Sequence, residues 1–245
     1  MRVSVAMAAY NGEKFIKKQI NSIISQLSDE DELIVSCNPS KDRTWDILRE
    51  YAEGDNRIKP VLCEKKGVIS NFENAISLCR GDIIFLADQD DIWERGKVAK
   101  IMRIFKKDKS LGGIVHGYKN IDENDELMEE QPAEKKAYMI KSADIIVKNP
   151  VQGSCLAFRR QLVRYFLPFP KNIPMHDSYI GLAICKYSKL LYIPDPFLLY
   201  RTHSATVTTR HHKSVPLMVR DRVWLLQSMK TIRNKNDIRN HSQEI

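Results

Sequence analysis

The sequence lacks a long apolar run: no window approaches the roughly 18 uninterrupted apolar residues that a membrane-spanning helix needs. Its five cysteines are scattered without a CxxC pair or other metal-ligand spacing, and their odd number argues against a closed disulfide framework. The opening residues, MRVSVAMAAYNGEKF, turn polar too early for a secretory signal. We therefore expect reduced thiols and a cytoplasmic protein.

Several phosphate-binding and catalytic signatures are also missing. There is no GxxxxGKS/T sequence, which excludes a P-loop, and no GxGxxG follows the first predicted strand, which weakens a dinucleotide-binding interpretation. Neither GxSxG nor HExxH occurs. An enzyme with this sequence would have to bind phosphate or activate its substrate with another arrangement of residues.

What the sequence does contain is typical of a globular protein. Its 245 residues are 43% hydrophobic and 29% charged, which is enough for a substantial core. The net charge of +8 is concentrated from Arg201 onward, where nine Lys and Arg stand against three acidic residues. This favours an anionic partner such as phospholipid or a phosphorylated substrate, with a solvated basic face as an equal alternative. No nucleic-acid module signature is present, so we expect no nucleic-acid partner.

The apolar pattern of the first half alternates between strands and helices. Strands are predicted at 3–10, 32–37, 57–63 and 82–87, and the helices between them at 15–27, 43–52 and 67–80. This order predicts an α/β fold with right-handed crossovers and a mostly parallel central sheet that has helices on both faces. Such a sheet binds ligands at the carboxyl ends of its strands.

The second half predicts fewer strands and a separate C-terminal element. The predicted segments are a helix at 96–107, a strand at 112–118, an exposed, mobile acidic loop at 119–137, an ordered segment at 154–160, a helix at 176–188, strand and loop at 189–203, and a helix at 215–233. We expect one domain at 1–210 and a basic amphipathic helical appendage at 211–245. The last helix could lie on an anionic membrane at the inner face of the plasma membrane, pack onto the domain, or meet a second subunit in a homodimer.

Three carboxylates, Asp88, Asp90 and Asp91, directly follow the predicted strand 82–87 in the stretch GDIIFLADQDDIW. Neighbouring carboxylates repel one another unless protons or cations neutralise them. Asp91 could cap the next helix, which would explain one of the three. Asp88 and Asp90 fit a divalent ion with a preference for oxygen, Mg²⁺ or Mn²⁺, whose shell substrate phosphates usually complete. The residues alone leave these two interpretations balanced.

The ordered motifs of the chain resemble family 2 glycosyltransferases with the GT-A fold. The resemblance covers 1–210 and rests on AAYNGEKFIKKQINSIISQ, GVISNFENAI, DQDDIW, QGSCLAFRR, the HD pair at His176 and YRTHSATVT, in that order. GVxxNF followed by DQDDIW looks most like the rhamnosyltransferase-like branch, which typically uses dTDP-L-rhamnose, while close relatives use UDP-sugars. The resemblance implies surface polysaccharide synthesis with a glycan or lipid-linked saccharide as acceptor.

The same resemblance implies which residues form the site. Asp90 would ligate a Mg²⁺ or Mn²⁺ ion together with Asp88 and His203. Asp177 would be the general base of a displacement that inverts the anomeric centre. The residues implied to bind the nucleotide-sugar are Ala9, Tyr10, Asn38, Asn71, Asp88, Gln89, Gln152 and Gly153.

One departure from the family pattern follows the second predicted strand. The family commonly has DDGS there, and its first Asp contacts the base, whereas this chain has CNPS at 37–40. The carboxylate that would accept a hydrogen bond from a pyrimidine N–H is missing, and the carbonyl oxygen of Asn38 is the available substitute. The identity of the nucleotide is therefore open.

Plainer alternatives accompany three of the site residues. Asp177 could cap the helix that follows it, His203 could be a surface-loop histidine, and Trp93 could belong to the core and not stack on a sugar. At the level of function, the alternatives to a transferase are a non-catalytic sugar-nucleotide or carbohydrate-binding protein and a nucleotidyltransferase. The order and spacing of the motifs favour the transferase.

Overall fold

A computed structural model describes residues 1–128, 136–202 and 215–234. The strands are β1 Val3–Ala9, β2 Glu32–Cys37, β3 Ile58–Leu62, β4 Ile83–Asp88, β5 Ile92–Trp93, β6 Leu111–Ile121, β7 Tyr138–Ile140, β8 Leu156–Arg159 and β9 Lys189–Arg201. The helices are α1 Ile16–Ile24, α2 Thr44–Gly54, α3 Val68–Leu78, α4 Lys97–Lys107, α5 Ser142–Lys148, α6 Val163–Phe166, α7 His176–Tyr187 and α8 Val215–Ser228.

The first half of the sheet is parallel, in the order β3-β2-β1-β4. All residues of β1 and β2 are buried, because helices cover both faces of a parallel sheet. Pro60, which weakens a central-strand interpretation, lies in β3 at the edge of the sheet, where a missing N–H is tolerated. The predicted mostly parallel central sheet is confirmed.

The second half of the sheet is mixed. β8 is antiparallel to β4 and to β6, while β9 is parallel to β6 and antiparallel to the short strands β5 and β7. The full order is β3-β2-β1-β4-β8-β6-β9-β5, with β7 also paired to β9. Strand β4, which carries the carboxylates, therefore lies in the middle of the sheet between β1 and β8.

The segment after the carboxylates differs from the sequence-based expectation. Asp91 does not cap a helix, because β5 follows it and α4 begins only at Lys97. The N-cap of α4 is Gly96, whose φ of 83° lies in the left-handed region that glycine adopts without strain. The capping interpretation of Asp91 is therefore wrong, and its carboxylate serves another purpose, described below.

The C-terminal helix α8 packs against the domain through α5 and α7. Leu225 and Ile232 are buried, and the Arg222 guanidinium donates to the main-chain carbonyls of Ile146 and Val147. The predicted apolar face, Val215, Met218, Val219, Leu225, Leu226, Met229 and Ile232, is divided, because Val219 and Leu226 are exposed. Among the described helices, none combines the length and apolar character needed to cross a bilayer.

Candidate active site

The carboxylate cluster lies at the carboxyl end of β4, where a parallel sheet presents its ligand-binding edge. Asp88 is the last residue of the strand, and Gln89 and Asp90 follow it in the turn to β5. These three side chains are half-buried, whereas Asp91 is only 1% exposed. The cluster therefore combines accessible carboxylates with one that faces the interior.

Asp177, in the first turn of α7, lies close enough to this cluster for its charge to act on Asp88. Burial first, and then the charges of Asp90 and Asp177, raise the pKa of Asp88 to about 7. The contributions of Asp90 and Asp177 to this shift reflect like charges within a short distance of Asp88. The structure thus brings together the three carboxylates that the sequence singles out for metal binding and proton transfer.

The capping alternative for Asp177 is wrong. The N-cap of α7 is Met175, with φ −161° and ψ 149°, and Asp177 is an acidic residue of the first helical turn. Its Oδ1 accepts a hydrogen bond from the N–H of Ser178, the next residue. A carboxylate at this position benefits from the positive end of the helix dipole.

A buried lysine lies beneath the carboxylates. Lys97 donates from Nζ to the carbonyl of Ser154 at 3.0 Å, and Nζ is 3.8 Å from the centre of the Trp93 ring. Burial lowers the pKa of Lys97 to about 7, although nearby Cys155, Asp91 and Asp88 oppose that effect. Trp93 is only 3% exposed, so the core alternative for this residue is confirmed and sugar stacking on it is not.

Arg201, at the end of β9, fixes the backbone of the carboxylate turn. Its main-chain N–H donates to Asp91 Oδ1 at 3.0 Å, and its Nε donates to the carbonyl of Asp90 at 2.7 Å. Its Nη1 donates to the carbonyl of Asp122 at 2.8 Å. The guanidinium is fully buried and lies 4.6 Å from the centre of the Phe15 ring. No sequence pattern singles out Arg201, although it is the arginine of the YRTHSATVT motif.

Arg201 also connects the cluster to the acidic segment after β6. Its Nη2 forms an ion pair of 2.6 Å with Asp125, and Lys18 of α1 pairs with the same carboxylate. Lys14 pairs with Glu123 at 2.7 Å. Asp125 has φ 74°, a left-handed conformation uncommon outside glycine, within a turn held by Asp122. The described part of the predicted exposed loop is therefore fastened across the start of α1.

Three residues that the family resemblance implies for nucleotide-sugar binding are connected by hydrogen bonds at the end of β1. The carbonyl of Ala9 accepts hydrogen bonds from Asn71 Nδ2 and from the main-chain N–H of Asn38, both at 3.0 Å. Asn71 Oδ1 accepts from the Ser36 hydroxyl at 3.1 Å. Ala9, Asn38 and Asn71, which the sequence assigns separately to donor binding, thus form one connected group.

The side chain of Asn38 is already engaged by the protein. Its Nδ2 donates to the carbonyls of Cys63 and Lys65, and its Oδ1 accepts from the N–H of Gly67 and from Asn71 Nδ2, both at 3.1 Å. The expected contact from Asn38 Oδ1 to a pyrimidine N–H would have to compete with these two donors. In the structure, Asn38 fastens the ends of β2 and β3 to the start of α3.

Gln89 and Tyr10 form a two-point contact across the mouth of the site. Gln89 Oε1 accepts from the N–H of Tyr10, and Gln89 Nε2 donates to the carbonyl of Tyr10, each at 2.8 Å. The Tyr10 side chain is 49% exposed. Gly12 makes room for this contact, since a Cβ built there would lie 2.1 Å from Gln89 Oε1.

The segment at Gln152 and Gly153 packs against the start of α7. Gly153 opens a short 3₁₀ turn, and a Cβ at this position would lie 3.1 Å from His176 Nε2 and 3.6 Å from Asp177 Cβ. Gln152 is half-buried, and its carbonyl accepts from the N–H of Cys155. The 3₁₀ turn therefore sets the position of Asp177.

His176 supports this packing as a neutral aromatic group. Its ring stacks on Phe72 with centroids 4.0 Å apart. Burial lowers the pKa of His176 to about 3, so the imidazole is uncharged at neutral pH. It has no hydrogen-bond partner among the described residues. The ring thus acts as a packing surface between α3, Gly153 and α7.

The metal-ligand prediction concerns Asp88, Asp90 and His203, of which His203 lies outside the described residues. Within the described ranges, no three His, Cys, Asp or Glu side chains are arranged as a complete metal cluster. Asp88 and Asp90 nevertheless fit a hard divalent cation, because burial and the charge of Asp90 raise the pKa of Asp88 and a bound cation would favour the ionised carboxylate. Two carboxylates are also the usual protein share of a Mg²⁺ shell that phosphates complete.

This sheet, parallel in the order β3-β2-β1-β4 and mixed beyond β4, is the GT-A fold. It matches the crystal structure of S. aureus TarS in complex with UDP-GlcNAc with a TM-score of 0.70 and 18% identity, over 87% of this chain and 62% of that one. It matches the mannosyltransferase PcManGT from Pyrobaculum calidifontis in complex with GDP-Man and Mn²⁺ with a TM-score of 0.63 and 17% identity, over 94% and 72% of the two chains.

The chain belongs to glycosyl transferase family 2, whose model matches residues 4–166, well over half of its length. It is also 23% identical over 215 residues to an uncharacterized glycosyltransferase of Nostoc sp., which covers 84% of this chain. The chain spans 66% of the length of that relative. These findings confirm the predicted family and fold, but not the rhamnosyltransferase-like branch.

Proposed function

We propose that the protein is an inverting glycosyltransferase that moves a sugar from a nucleotide-diphosphate donor to a glycan or lipid-linked saccharide acceptor. The observation that carries the proposal is the convergence of Asp88, Asp90 and Asp177 at the carboxyl end of β4. Membership of glycosyl transferase family 2 supports it.

The donor would lie between the ends of β1 and β4. The backbone at Ala9 and Tyr10 would face the nucleotide, and Gln89 would keep Tyr10 in place through its two hydrogen bonds. Asp88 and Asp90 would hold Mg²⁺ or Mn²⁺. When bound, such an ion supplies Lewis-acid neutralisation of the charge that develops on the departing diphosphate.

Asp177 would accept the proton of the attacking acceptor hydroxyl. General-base catalysis of this kind is typically worth ~10²- to 10⁴-fold in rate. The position of Asp177 in the first turn of α7, against Gly153, keeps its carboxylate beside Asp88 without making it the helix cap. Direct attack on the anomeric carbon from the face opposite the diphosphate inverts the configuration.

The donor proposed first is dTDP-L-rhamnose, with a UDP-sugar as the second candidate. The GVxxNF and DQDDIW motifs support the first, and the UDP-GlcNAc bound in the TarS complex makes the second worth testing. The engaged side chain of Asn38 implies that the base is recognised mainly by backbone groups and by Tyr10.

Donor binding and turnover can be separated with Asp177→Asn. We expect this variant to bind UDP or dTDP with Mn²⁺ as the wild type does, because Asp177 is not proposed as a ligand. We expect sugar transfer to fall by ~10²-fold or more. Calorimetric titration measures the first quantity, and nucleotide release from a panel of dTDP-, UDP- and GDP-sugars measures the second. Full turnover by Asp177→Asn would exclude it as the base.

A non-catalytic sugar-nucleotide-binding protein is the second candidate. It is favoured by the missing DDGS aspartate and by the engagement of Asn38 Oδ1 with two protein donors. Nucleotide binding by the wild type, together with no nucleotide release from any donor sugar in the presence of glycan acceptors, would favour this candidate.

A further inference from the structure

Two tyrosine rings form an aromatic surface on strands β6 and β9. These strands lie on the other side of β4 from β1, the strand whose end is proposed to face the nucleotide. Tyr118 of β6 and Tyr200 of β9 have ring centroids 5.4 Å apart and an interplanar angle of 56°. Tyr118 is 41% exposed, and Tyr200 is half-buried. An exposed large aromatic side chain, supported by a second one, provides a broad apolar face with a polar hydroxyl at its rim.

Tyr200 lies next to the carboxylate turn. Strand β5 pairs with β9 so that Ile92 faces Leu199, and the N–H of Arg201 donates to Asp91 Oδ1 at 3.0 Å. The backbone of Tyr200, between Leu199 and Arg201, is therefore beside Asp91. Because side chains alternate along a strand, the Tyr200 ring points to the face opposite the buried Arg201 guanidinium.

The Tyr118 ring lies on the same face of the sheet as the Tyr200 ring. In the parallel pairing of β6 with β9, Asn120 is opposite Tyr200, so Tyr118, two residues before Asn120, lies on the same side of the sheet. Burial and the neighbouring Cys155 raise the pKa of the Tyr118 hydroxyl. Because the Tyr118 ring contacts the Tyr200 ring, and the backbone of Tyr200 lies beside Asp91, the two rings form one surface on the β6 and β9 side of the carboxylate turn.

The order of the strands separates this surface from the donor cradle. Ala9 and Tyr10 lie at the end of β1, on one side of β4, whereas β6 and β9 lie beyond β8 on the other side. Asp177 lies between the two, because the 3₁₀ turn Gly153–Cys155, whose first residue packs against Asp177, immediately precedes β8. A molecule resting on the tyrosines would therefore approach Asp177 from the side opposite the nucleotide.

The chemistry of this surface suits a saccharide. A pyranose ring presents C–H groups on one face, which pack on an aromatic ring, while its hydroxyls reach polar groups at the rim. Tyr118 offers both the ring and a hydroxyl, and Asn120, on the same face, is half-buried at its edge. A lipid chain would need a deeper apolar groove than two rings provide.

We propose that Tyr118 and Tyr200 form the acceptor subsite, where the sugar ring of the acceptor stacks with its reactive hydroxyl directed toward Asp177. This inference rests on the proposed transferase function, and it names a part of the site that no motif in the sequence indicates. Tyr118 supplies the exposed face, and Tyr200 holds the orientation of that ring.

The test is saturation-transfer NMR on the full chain with Mn²⁺ and UDP or dTDP, using methyl glycosides of rhamnose, glucose, galactose, mannose and N-acetylglucosamine. We expect at least one glycoside to bind, with the strongest transfer to the protons of one ring face. Tyr118→Ala should weaken its binding by about three- to tenfold, as expected for loss of one aromatic contact, and Tyr118→Phe should retain most of it. Affinity for the Mn²⁺-nucleotide should be the same in both variants and in the wild type.

A matched control is Tyr138→Ala, since Tyr138 and Tyr192 form a second tyrosine pair, with centroids 5.0 Å apart, at the start of β9 and far from the carboxylates. Glycoside binding that is equally weakened by Tyr138→Ala, or unchanged in Tyr118→Ala, would overturn the subsite. So would nucleotide binding without binding of any glycoside. Failure of the wild type to bind either Mn²⁺-nucleotide would overturn the proposed function and the subsite together.

Discussion

Arg201 shows how much a single side chain contributes to the geometry of this site. Its main chain and guanidinium contact Asp90, Asp91, Asp122 and Asp125, so that it joins the carboxylate turn to the acidic segment after β6. It is among the largest fully buried side chains in the described chain. A buried guanidinium persists only when its donors are satisfied, as most of them are here.

Replacing Arg201 should therefore destabilise the fold. Arg201→Met leaves the Asp90 and Asp122 carbonyls without their donor and removes one of the two cations paired with Asp125, for a loss of about 3 kcal/mol in the free energy of unfolding. Arg201→Lys keeps the charge but cannot reach all partners at once, so its loss should be smaller. Urea unfolding measures both variants. The exposed pair of Arg43 with Glu50 provides the control, since Arg43→Met should cost less than about 1 kcal/mol.

The pKa of Asp88 makes a second prediction at the residue scale. A cation binds the ionised carboxylate, so its affinity should rise with pH until Asp88 is deprotonated near pH 7. Below that pH, the dissociation constant for Mn²⁺ should fall by up to about tenfold for each unit of increase, and it should level off above pH 7. Calorimetry in buffers of different ionisation enthalpy measures the affinity and the released proton. An affinity that is independent of pH, without proton release, would contradict the shift.

The residues predicted from sequence and those missed differ in a physical respect. Asp88 and Asp90 stand out because carboxylates directly after an apolar strand require a reason, whereas Asp177 is indicated by the resemblance to the family, and the structure brings the three together. Arg201 and Lys97 are missed because each is satisfied largely by main-chain carbonyls, which leave no pattern in the sequence. The sequence does not indicate Tyr118 either, because a single tyrosine in a predicted strand carries no pattern that separates a binding residue from a structural one.

At the scale of elements, the loops that join β1 to α1 and β4 to β5 hold each other in place. Gln89 reaches from one loop to the backbone of Tyr10 in the other, and Gly12 leaves the space that this contact occupies. The hydroxyl of Thr44 adds a further constraint by accepting from the N–H of Gly12 at 2.7 Å. The proposed donor site would therefore be shaped by two loops that act as one unit.

Gly12→Ala tests this unit. The new Cβ would lie 2.1 Å from Gln89 Oε1, so Gln89 must leave Tyr10, and we expect weaker binding of the Mn²⁺-nucleotide by about tenfold. Gly54→Ala is the matched control, because a Cβ there meets nothing within 4 Å. It should leave binding unchanged and stabilise the fold slightly. Equal nucleotide affinity in Gly12→Ala and the wild type would show that the Tyr10 contact does not shape the cradle.

Element prediction succeeded where the periodicity was long and failed where it was short. The strands and helices of the first half appear close to their predicted limits, since β1, β2 and β4 are continuous apolar runs and α1 has a clear apolar stripe. β5 and β7 have two and three residues, too few to show any period. Their pairing with β9 is set by tertiary contacts and not by local sequence.

At the scale of the whole molecule, the sheet arranges the steps of the proposed reaction in order. The nucleotide cradle lies at β1, the carboxylates at β4, Asp177 beside the turn before β8, and the tyrosine surface at β6 and β9. The parallel half could be predicted, because alternating strands and helices permit few topologies. The mixed half could not, because antiparallel pairing between distant strands leaves no comparable signature.

The central claim is that the carboxylates at the end of β4 hold a divalent ion that binds the diphosphate of the donor. The most direct test is calorimetric titration of UDP and dTDP, with and without Mn²⁺, into the wild type and Asp90→Ala, with the exposed Asp29→Ala as control. We predict that the wild type binds the nucleotide in a Mn²⁺-dependent manner and that Asp29→Ala binds it equally well. Asp90→Ala should weaken this binding by more than the roughly 10- to 100-fold that is typical of losing a residue outside the metal's first coordination shell. Equal affinity in Asp90→Ala and the wild type would contradict the account.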